Sequence, residues 1–435
     1  MIKNYLTLPF KSVGHLFMLI FLMGSGAYKS VGQDYVDTFE VVWRTVDETY
    51  FDSTFGGVDW KDLHDRYQPL IAEAENDEVF YRLVNENLFE LNTSHLGVVP
   101  PDEKEQIAPV LASSRGIGVD AKLLSGEAII TSVNPDSPGA LAGLRPGFVI
   151  QRVDGKTIEQ IAEEREMELT PPFNDRNRRS MITDDIRGLV YGTAGTIVSM
   201  SYLDEQGTLK ETTIERVKRG ERGERIKLGE TLPLIYVEFD AKRLDSNIGY
   251  LRFNAFLPPV DERFLEVLEE MSDMDGLIID LRGNPDGAFV IRRAIAEHLI
   301  EELTFFWSYK GRDGDRDVFL DPAERVYGGP LVVLVDVGSW SSSEEFAGGM
   351  QAIGRAVVIG ERTLGKVLVQ GEMELPNGAV LIYPTEQKRT AEGVVLEGRG
   401  VIPDLEITLE RTLLSQGIDS QLEAAITYLE NQKMR

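Results

Sequence analysis

The apolar positions of the chain change period several times, and each change marks a different kind of element. Between 34 and 100, Phe39, Val42, Val46 and Tyr50 recur at three- and four-residue steps, followed by Leu63, Tyr67, Leu70 and Ile71 and by Val79, Leu83, Val84, Leu88 and Leu91. Such spacing lays one apolar stripe along a helix, so this segment predicts a helical domain of about three helices. From 113 to 218 the period shortens. Ala128 to Val133 (AIITSV) and Phe148 to Asp154 (FVIQRVD) read as strands, joined by the turn-rich NPDSPGALAGLRPG, and predict a β-rich module. Inside it, 164–185 is polar and contains Pro171-Pro172, so an exposed insertion is expected there. The Gly- and Glu-interrupted run 216–227 predicts a solvated linker.

From 228 to 412, continuous apolar runs alternate with helical spacing. Ile248 to Phe253 (IGYLRF), Gly276 to Leu281 (GLIIDL), Leu331 to Val335 (LVVLV) and Ala356 to Gly360 (AVVIG) read as buried strands, with helices at Val260 to Met271 and Glu344 to Ile353 between them. Runs without a polar face are what a parallel sheet covered on both sides requires. The expected class is therefore α/β, closed by a C-terminal helix within 413–435, at Ser420 to Asn431.

Composition narrows the function. A chain of 435 residues predicts roughly two to four domains. Its net charge of −27 argues against a nucleic-acid or anionic-membrane partner. With no cysteine, disulfides, thiolate catalysis and a lipid-anchored Cys are excluded. Lys3 and Lys11 supply positive charge ahead of an apolar stretch from Val13 to Met23, and Ser25-Gly26-Ala27 follows with small residues. This predicts a signal peptide over 1–27 and a periplasmic or otherwise extracytoplasmic protein, touching a membrane only where that segment stays uncleaved. No metal-ligand spacing or phosphate-binding loop is present, so no metal and no cofactor is expected.

Candidate chemistry concentrates in Gly338 to Gln370, GSWSSSEEFAGGMQAIGRAVVIGERTLGKVLVQ. The order is strand, Ser cluster, helix, strand, Lys loop, which places a hydroxyl at a helix N-terminus, where free N–H groups stabilise developing negative charge. A Ser hydroxyl needs a base to become a nucleophile, and a desolvated Lys can serve. Ser339, Ser341, Ser343 and Glu344 match an SxSxSE cluster, and Thr363, Gly365, Lys366 and Gln370 match TxGKxxxQ. On these motifs the chain resembles the C-terminal processing peptidases, also called tail-specific proteases.

The resemblance implies a crotonase-like α/β protease core carrying an inserted PDZ-like domain and an N-terminal helical domain. It implies Ser341 as nucleophile, Lys366 as general base and Gln370 as the group that orients the amine. Arg282 to Gly287 (RGNPDG) resembles the family's LRNNPGG turn. That assigns the oxyanion hole to the N–H groups of Gly287 and Ser342, although Asp286 replaces a Gly and Trp340 a small residue. The phrase SPGALAGLRPGFVIQRVDGKTI resembles the PDZ domain of the family. This implies that Gly116, Ile117, Gly118 and Val119 receive the terminal carboxylate of a polypeptide with a free C-terminus.

Ser94-His95 and Glu397, in EGRGVIPD, also resemble the Ser-His and acidic members of the tricorn-type catalytic set. The chain thus carries two candidate bases, and the continuous Lys motif favours Lys366 over three residues gathered from two ends. Glu344 is expected either to hydrogen-bond in the site or to favour the helix N-terminus, the second slightly preferred. The expected function is an exported serine endopeptidase cleaving proteins near their C-termini. Two rival expectations are a non-catalytic PDZ-type peptide-binding scaffold, with the oxyanion pocket disabled by Asp286 and Trp340, and a crotonase-like acyl-CoA enzyme, which the export signal disfavours.

Overall fold

Three helices open the chain: α1 Val31–Thr49, α2 Trp60–Ala72 and α3 Asp77–Phe89. The structure is a computed structural model, and it describes residues 31–102, 116–168, 174–217, 224–227 and 234–433. The expected signal segment 1–27 lies outside the described residues. The periodic residues of the helices, among them Phe39, Val42, Val46, Leu63, Phe80 and Leu88, are buried in one cluster. That cluster is shared with Leu368, Leu375 and Leu381, so the helices pack directly on the later sheet. Burial of this apolar stripe, at about 25 cal/mol per Å², is what fixes the helices there.

The central sheet, among the described residues, has the order β10 (Phe239–Arg243), β11 (Ile248–Phe253), β12 (Gly276–Asp280), β15 (Leu331–Val335), β16 (Val357–Gly360) and β19 (Leu405–Glu406). From β11 to β19 the pairings are parallel. Every residue of β12 and of β15 is buried, as their unbroken apolar sequences require. Helix α7 (Val260–Glu270) follows β11, α8 (Phe289–Glu297) follows β12, and α9 (Ser342–Ala352) follows β15. Because β12 and β15 are neighbours running the same way, their C-terminal ends deliver the turn 282–288 and Ser341 to one place.

A second sheet has the order β1 (Gly97–Val99), β18 (Val380–Thr390), β13 (Thr304–Gly311) and β14 (Gly314–Leu320), with β17 (Val369–Glu374) also on β18. The short β1 pairs with β18 at Gly97–Ile382 and carries the preceding Ser94-His95 to the mouth of the Lys366 loop.

The third sheet is β2 (Val119–Leu124), β3 (Glu127–Val133), β4 (Val149–Val153), β6 (Ile197–Leu203) and β7 (Leu209–Glu215). Two expectations are corrected here. The span 164–185 is not an exposed insertion: it holds the end of α5 (Ile158–Glu168) and most of α6 (Asp175–Tyr191), with 169–173 outside the described residues. Ile182, Ile186 and Val190 of α6 are buried in the module's core, so the helix is part of it. Nor is Arg216 part of a solvated linker. It is buried and donates to the carbonyls of Val190 and Ile197 and to Asp154, while Glu224–Lys227 pairs as a strand with Leu234–Val237. The module is tied to the central sheet by the ion pairs Lys122–Asp336 and Arg179–Glu361, and by Ile129 and Val149 packing on Leu409 and Leu414.

Candidate active site

Ser341 sits between β15 and α9 at φ 51° and ψ −116°, a backbone conformation that costs a non-glycine residue of order 1–3 kcal/mol. Neighbouring serines hold it there. Ser339 Oγ donates to Leu281 O at 2.7 Å, and Ser343 Oγ donates to Asn284 O at 2.8 Å, so both tie the nucleophile turn to the turn after β12. The Ser341 N–H donates to Lys366 O at 2.9 Å. The Ser cluster therefore has one member at the reactive position and two that fasten it.

Glu344 does more than favour the helix start. Its buried carboxylate accepts from Gly365 N at 2.6 Å, Lys366 N at 2.8 Å and Ser341 N at 3.3 Å, and from the Thr363 hydroxyl. Burial raises its pKa to about 7 against the pull of these donors. This one carboxylate clamps the Lys loop to the nucleophile turn. Gly365 serves the same junction: at φ 80° a Cβ would meet Gly400 N at 2.6 Å.

The two candidate bases have different settings. The Lys366 amine stands 5.7 Å from the centre of the Trp340 ring, and burial holds its pKa below the ordinary Lys value, opposed by Asp184, Glu344 and Glu397. Gln370 does not orient it. Lying on the exposed edge of β17, Gln370 donates its amide to Glu372 at 3.0 Å.

His95 ends a connected chain. Glu397 accepts from Ser94 N at 2.8 Å, Ser94 Oγ at 3.0 Å and Val367 N at 3.0 Å. Ser94 Oγ lies 2.7 Å from His95 Nδ1. With the Ser94 hydroxyl donating to an ionised Glu397, its oxygen accepts from Nδ1–H, and that assignment leaves Nε2 with a free lone pair. Burial, then the nearby Lys388 and Lys366, push the His95 pKa down to about 3, so the ring is neutral near pH 7.

His95 and Ser341 line the same cavity, of about 320 Å³, together with Asp286, Gly287 and Ser342. Lys366 is not part of its lining among the described residues. Gly287 is required by close approach, since a Cβ would lie 2.4 Å from Phe256 Cβ. Its carbonyl accepts from Ser342 Oγ at 2.9 Å. Asp286 stands at the same spot. Burial raises its pKa, while hydrogen bonds from the Gly287 N–H and the Ser341 side chain oppose the rise. The expected peptide-binding residues Gly116, Ile117, Gly118 and Val119 are all buried. The carbonyls of Gly116, Ile117 and Gly118 accept from Val217, Gly139 and Asn134, each at 2.8 Å.

What sequence reasoning missed is the fastening role of Ser339 and Ser343 and the clamp at Glu344. The offset of two between the serines was the available signal, since it leaves three hydroxyls around one turn.

Residues 247–407 match the family model described as peptidase family S41, residues 32–89 the tricorn protease C1 domain, and residues 107–175 the PDZ domain. A carboxyl-terminal-processing protease of Synechocystis sp. is 27% identical over 409 residues, which is 89% of this chain and 85% of that protein. One of Picosynechococcus sp. is 25% identical over 435 residues, 95% and 94% of the two chains. Among solved structures, the photosystem II D1 C-terminal processing protease superposes with a TM-score of 0.56 at 22% identity, over 89% of this chain and 98% of that one. Mature CPAF superposes at 0.60 with 14% identity, over 92% and 96%. Both likenesses speak for the fold.

Proposed function

This chain belongs to peptidase family S41 and is a serine-type peptidase, and from that premise we propose that it cleaves polypeptides by attack of Ser341, with His95 as the base. The carrying observation is the Glu397–Ser94–His95 chain that ends at the cavity holding Ser341. In this reading the Ser341 oxygen bonds to the peptide carbonyl carbon as its proton passes to His95 Nε2. The N–H groups of Gly287 and Ser342 receive the oxyanion. The tetrahedral adduct collapses, the C–N bond breaks, and His95 returns the proton to the leaving amine. A water then hydrolyses the Ser341 ester by the same steps. Ser341→Ala is expected to lower cleavage of an unfolded protein substrate by about 10⁴-fold or more at unchanged fold, and retention of wild-type turnover would sink the assignment.

A second reading keeps Lys366 as the base. The contact from Ser341 N–H to Lys366 O and the burial-lowered amine favour it.

Two further parts belong to the proposal. The PDZ-matching module presents chain ends to the site, supported by the family match and by its ion pairs to the central sheet. Peptides with a free C-terminus are then expected to bind at least about tenfold tighter than their amides at moderate salt, and equal affinity removes carboxylate capture. The protein is also exported, supported by the charged and apolar pattern of 1–27. Mass spectrometry of the mature protein is expected to find its N-terminus near Ala27, and an intact Met1 would count against export with cleavage.

A further inference from the structure

The cavity beside Ser341 has a charged floor that bond cleavage itself does not use. Arg292 of α8 and Lys388 of β18 are almost wholly buried, with side-chain exposures of 4% and 8%. Both bond to one carboxylate, Glu345 of α9, itself 1% exposed; the Arg292 contact is 2.5 Å. Tyr309 of β13 covers the same space, its hydroxyl pushed up to about 12 by burial. Lys388 Nζ lies 5.7 Å from the centre of its ring and the Arg316 guanidinium 3.9 Å. Arg316 is half-exposed at the rim and pairs with Glu386 at 2.6 Å, so that pair is neutral. The floor proper holds Arg292, Lys388 and Glu345, with the Asp286 carboxyl at its inner edge.

Arg292 and Lys388 both line the cavity and share Glu345 as the carboxylate of their ion pairs, which leaves donor capacity on each for a second acceptor. Burial holds Lys388 below the ordinary Lys value, opposed by Glu345 and, more weakly, by Asp286, while Arg292 adds to the fall. The cations also stand close to the chemistry. Arg292 Nη1 is 3.4 Å from Ser342 Oγ, on the residue to which the proposed reaction assigns one oxyanion N–H. A group bound there belongs to a residue next to the bond being cut.

Resting on the peptidase reading above, we propose that the Arg292–Lys388 cavity is a specificity pocket for a substrate carboxylate adjacent to the scissile bond. The carboxylate comes from an Asp or Glu side chain or from the terminus of a chain cut close to its end. It accepts from Arg292 and Lys388 beside Glu345 and places the neighbouring carbonyl over Ser341.

The test uses the full chain and bonds first mapped by mass spectrometry in reduced, unfolded casein. Quenched peptides are built on one such bond in matched pairs. One pair has Glu or Gln beside the bond with both ends blocked; the other has Gln, ending just past the bond as free acid or amide. In at least one pair the acid form is expected to be cleaved about 30-fold faster in kcat/KM, and which pair shows it identifies the source. Because the ratio is taken within one protein, a general loss of activity in a variant does not disturb it. Lys388→Met is expected to bring the ratio towards one. Arg316→Gln, at the exposed rim where folding is not at stake, lowers it only modestly. Ratios near or below one in both pairs for the wild-type protein overturn the pocket and leave the peptidase reading standing. If no Ser341-dependent cleavage occurs, anisotropy of the same labelled peptides on Ser341→Ala decides. An acid-over-amide preference that Lys388→Met removes keeps the carboxylate site while the peptidase reading falls, and equal binding overturns both.

Discussion

His95→Ala is expected to reduce kcat/KM by about 10⁴-fold, while Lys366→Met costs about tenfold or less. The asymmetry follows from where the two groups stand. His95 lines the cavity with Ser341, and its Nδ1 is engaged by Ser94, itself bonded to Glu397, which leaves Nε2 as the nitrogen available to take a proton. Lys366 gives Ser341 a carbonyl acceptor through its backbone, which Met preserves, and its amine lies against Trp340. Acidity supplies an independent check. A His with a pKa pushed down to about 3 remains neutral across the range where a free imidazole near 6.5 would take its proton. Turnover should therefore not fall as pH drops through 6.5. A Lys base would instead tie activity to loss of the amine proton, giving a rate that climbs on the alkaline side. Stability linked to neutral His95 has the corresponding sign: fully present above 6.5, and lost as pH falls towards about 3. A dead Lys366→Met beside an active His95→Ala would overturn the assignment.

The sequence announced the core because the core's rules are local. Leu331–Val335 and Gly276–Asp280 are apolar throughout, and only a strand covered on both faces accepts that composition. The helical stripe through Phe39, Val42 and Val46 was equally plain. Helix α6 was not, because Ile182, Ile186 and Val190 are interleaved with charges whose partners lie elsewhere. Arg187 bonds to Asp120 at 2.9 Å and Arg179 pairs with Glu361, and without those partners the segment reads as polar and exposed. The extent of the Glu344 clamp was hidden for a related reason. Its partners are mostly backbone N–H groups, which every non-proline residue carries, so no side-chain pattern marks them. Glu397 and Ser94 are 303 positions apart and meet because the three-residue β1 pairs with β18. An element that short leaves almost no periodicity to read. Arg292 and Lys388 likewise look like ordinary surface charges until the strands and helices around them close.

Asp286→Gly is expected to raise kcat/KM by about tenfold or more near neutral pH. Two N–H donors aimed at a developing oxyanion are worth several kcal/mol of barrier, and losing one costs about 10²- to 10³-fold. Here the Asp286 carboxyl takes the Gly287 N–H and the Ser341 side chain for itself. When ionised it also sets a negative charge beside the place where one must develop. Glycine frees the donor and removes the charge, and the backbone bond from Phe256 N to residue 286 O, at 3.0 Å, survives the change. Asp286→Asn separates the two contributions, since it abolishes the charge but still occupies the N–H, and should give a smaller gain. The sign of the pH effect follows from burial. A raised folded-state pKa means that Asp286 takes up its proton earlier as the solution is acidified. Wild-type kcat/KM should therefore increase as pH falls through that titration, whereas Asp286→Gly shows no such rise. The stability tied to the same group is complete below the ordinary carboxylate range and declines as pH rises through the raised folded value. A tenfold or greater loss of activity in both variants would make Asp286 a participant in the reaction rather than an obstacle in the oxyanion hole.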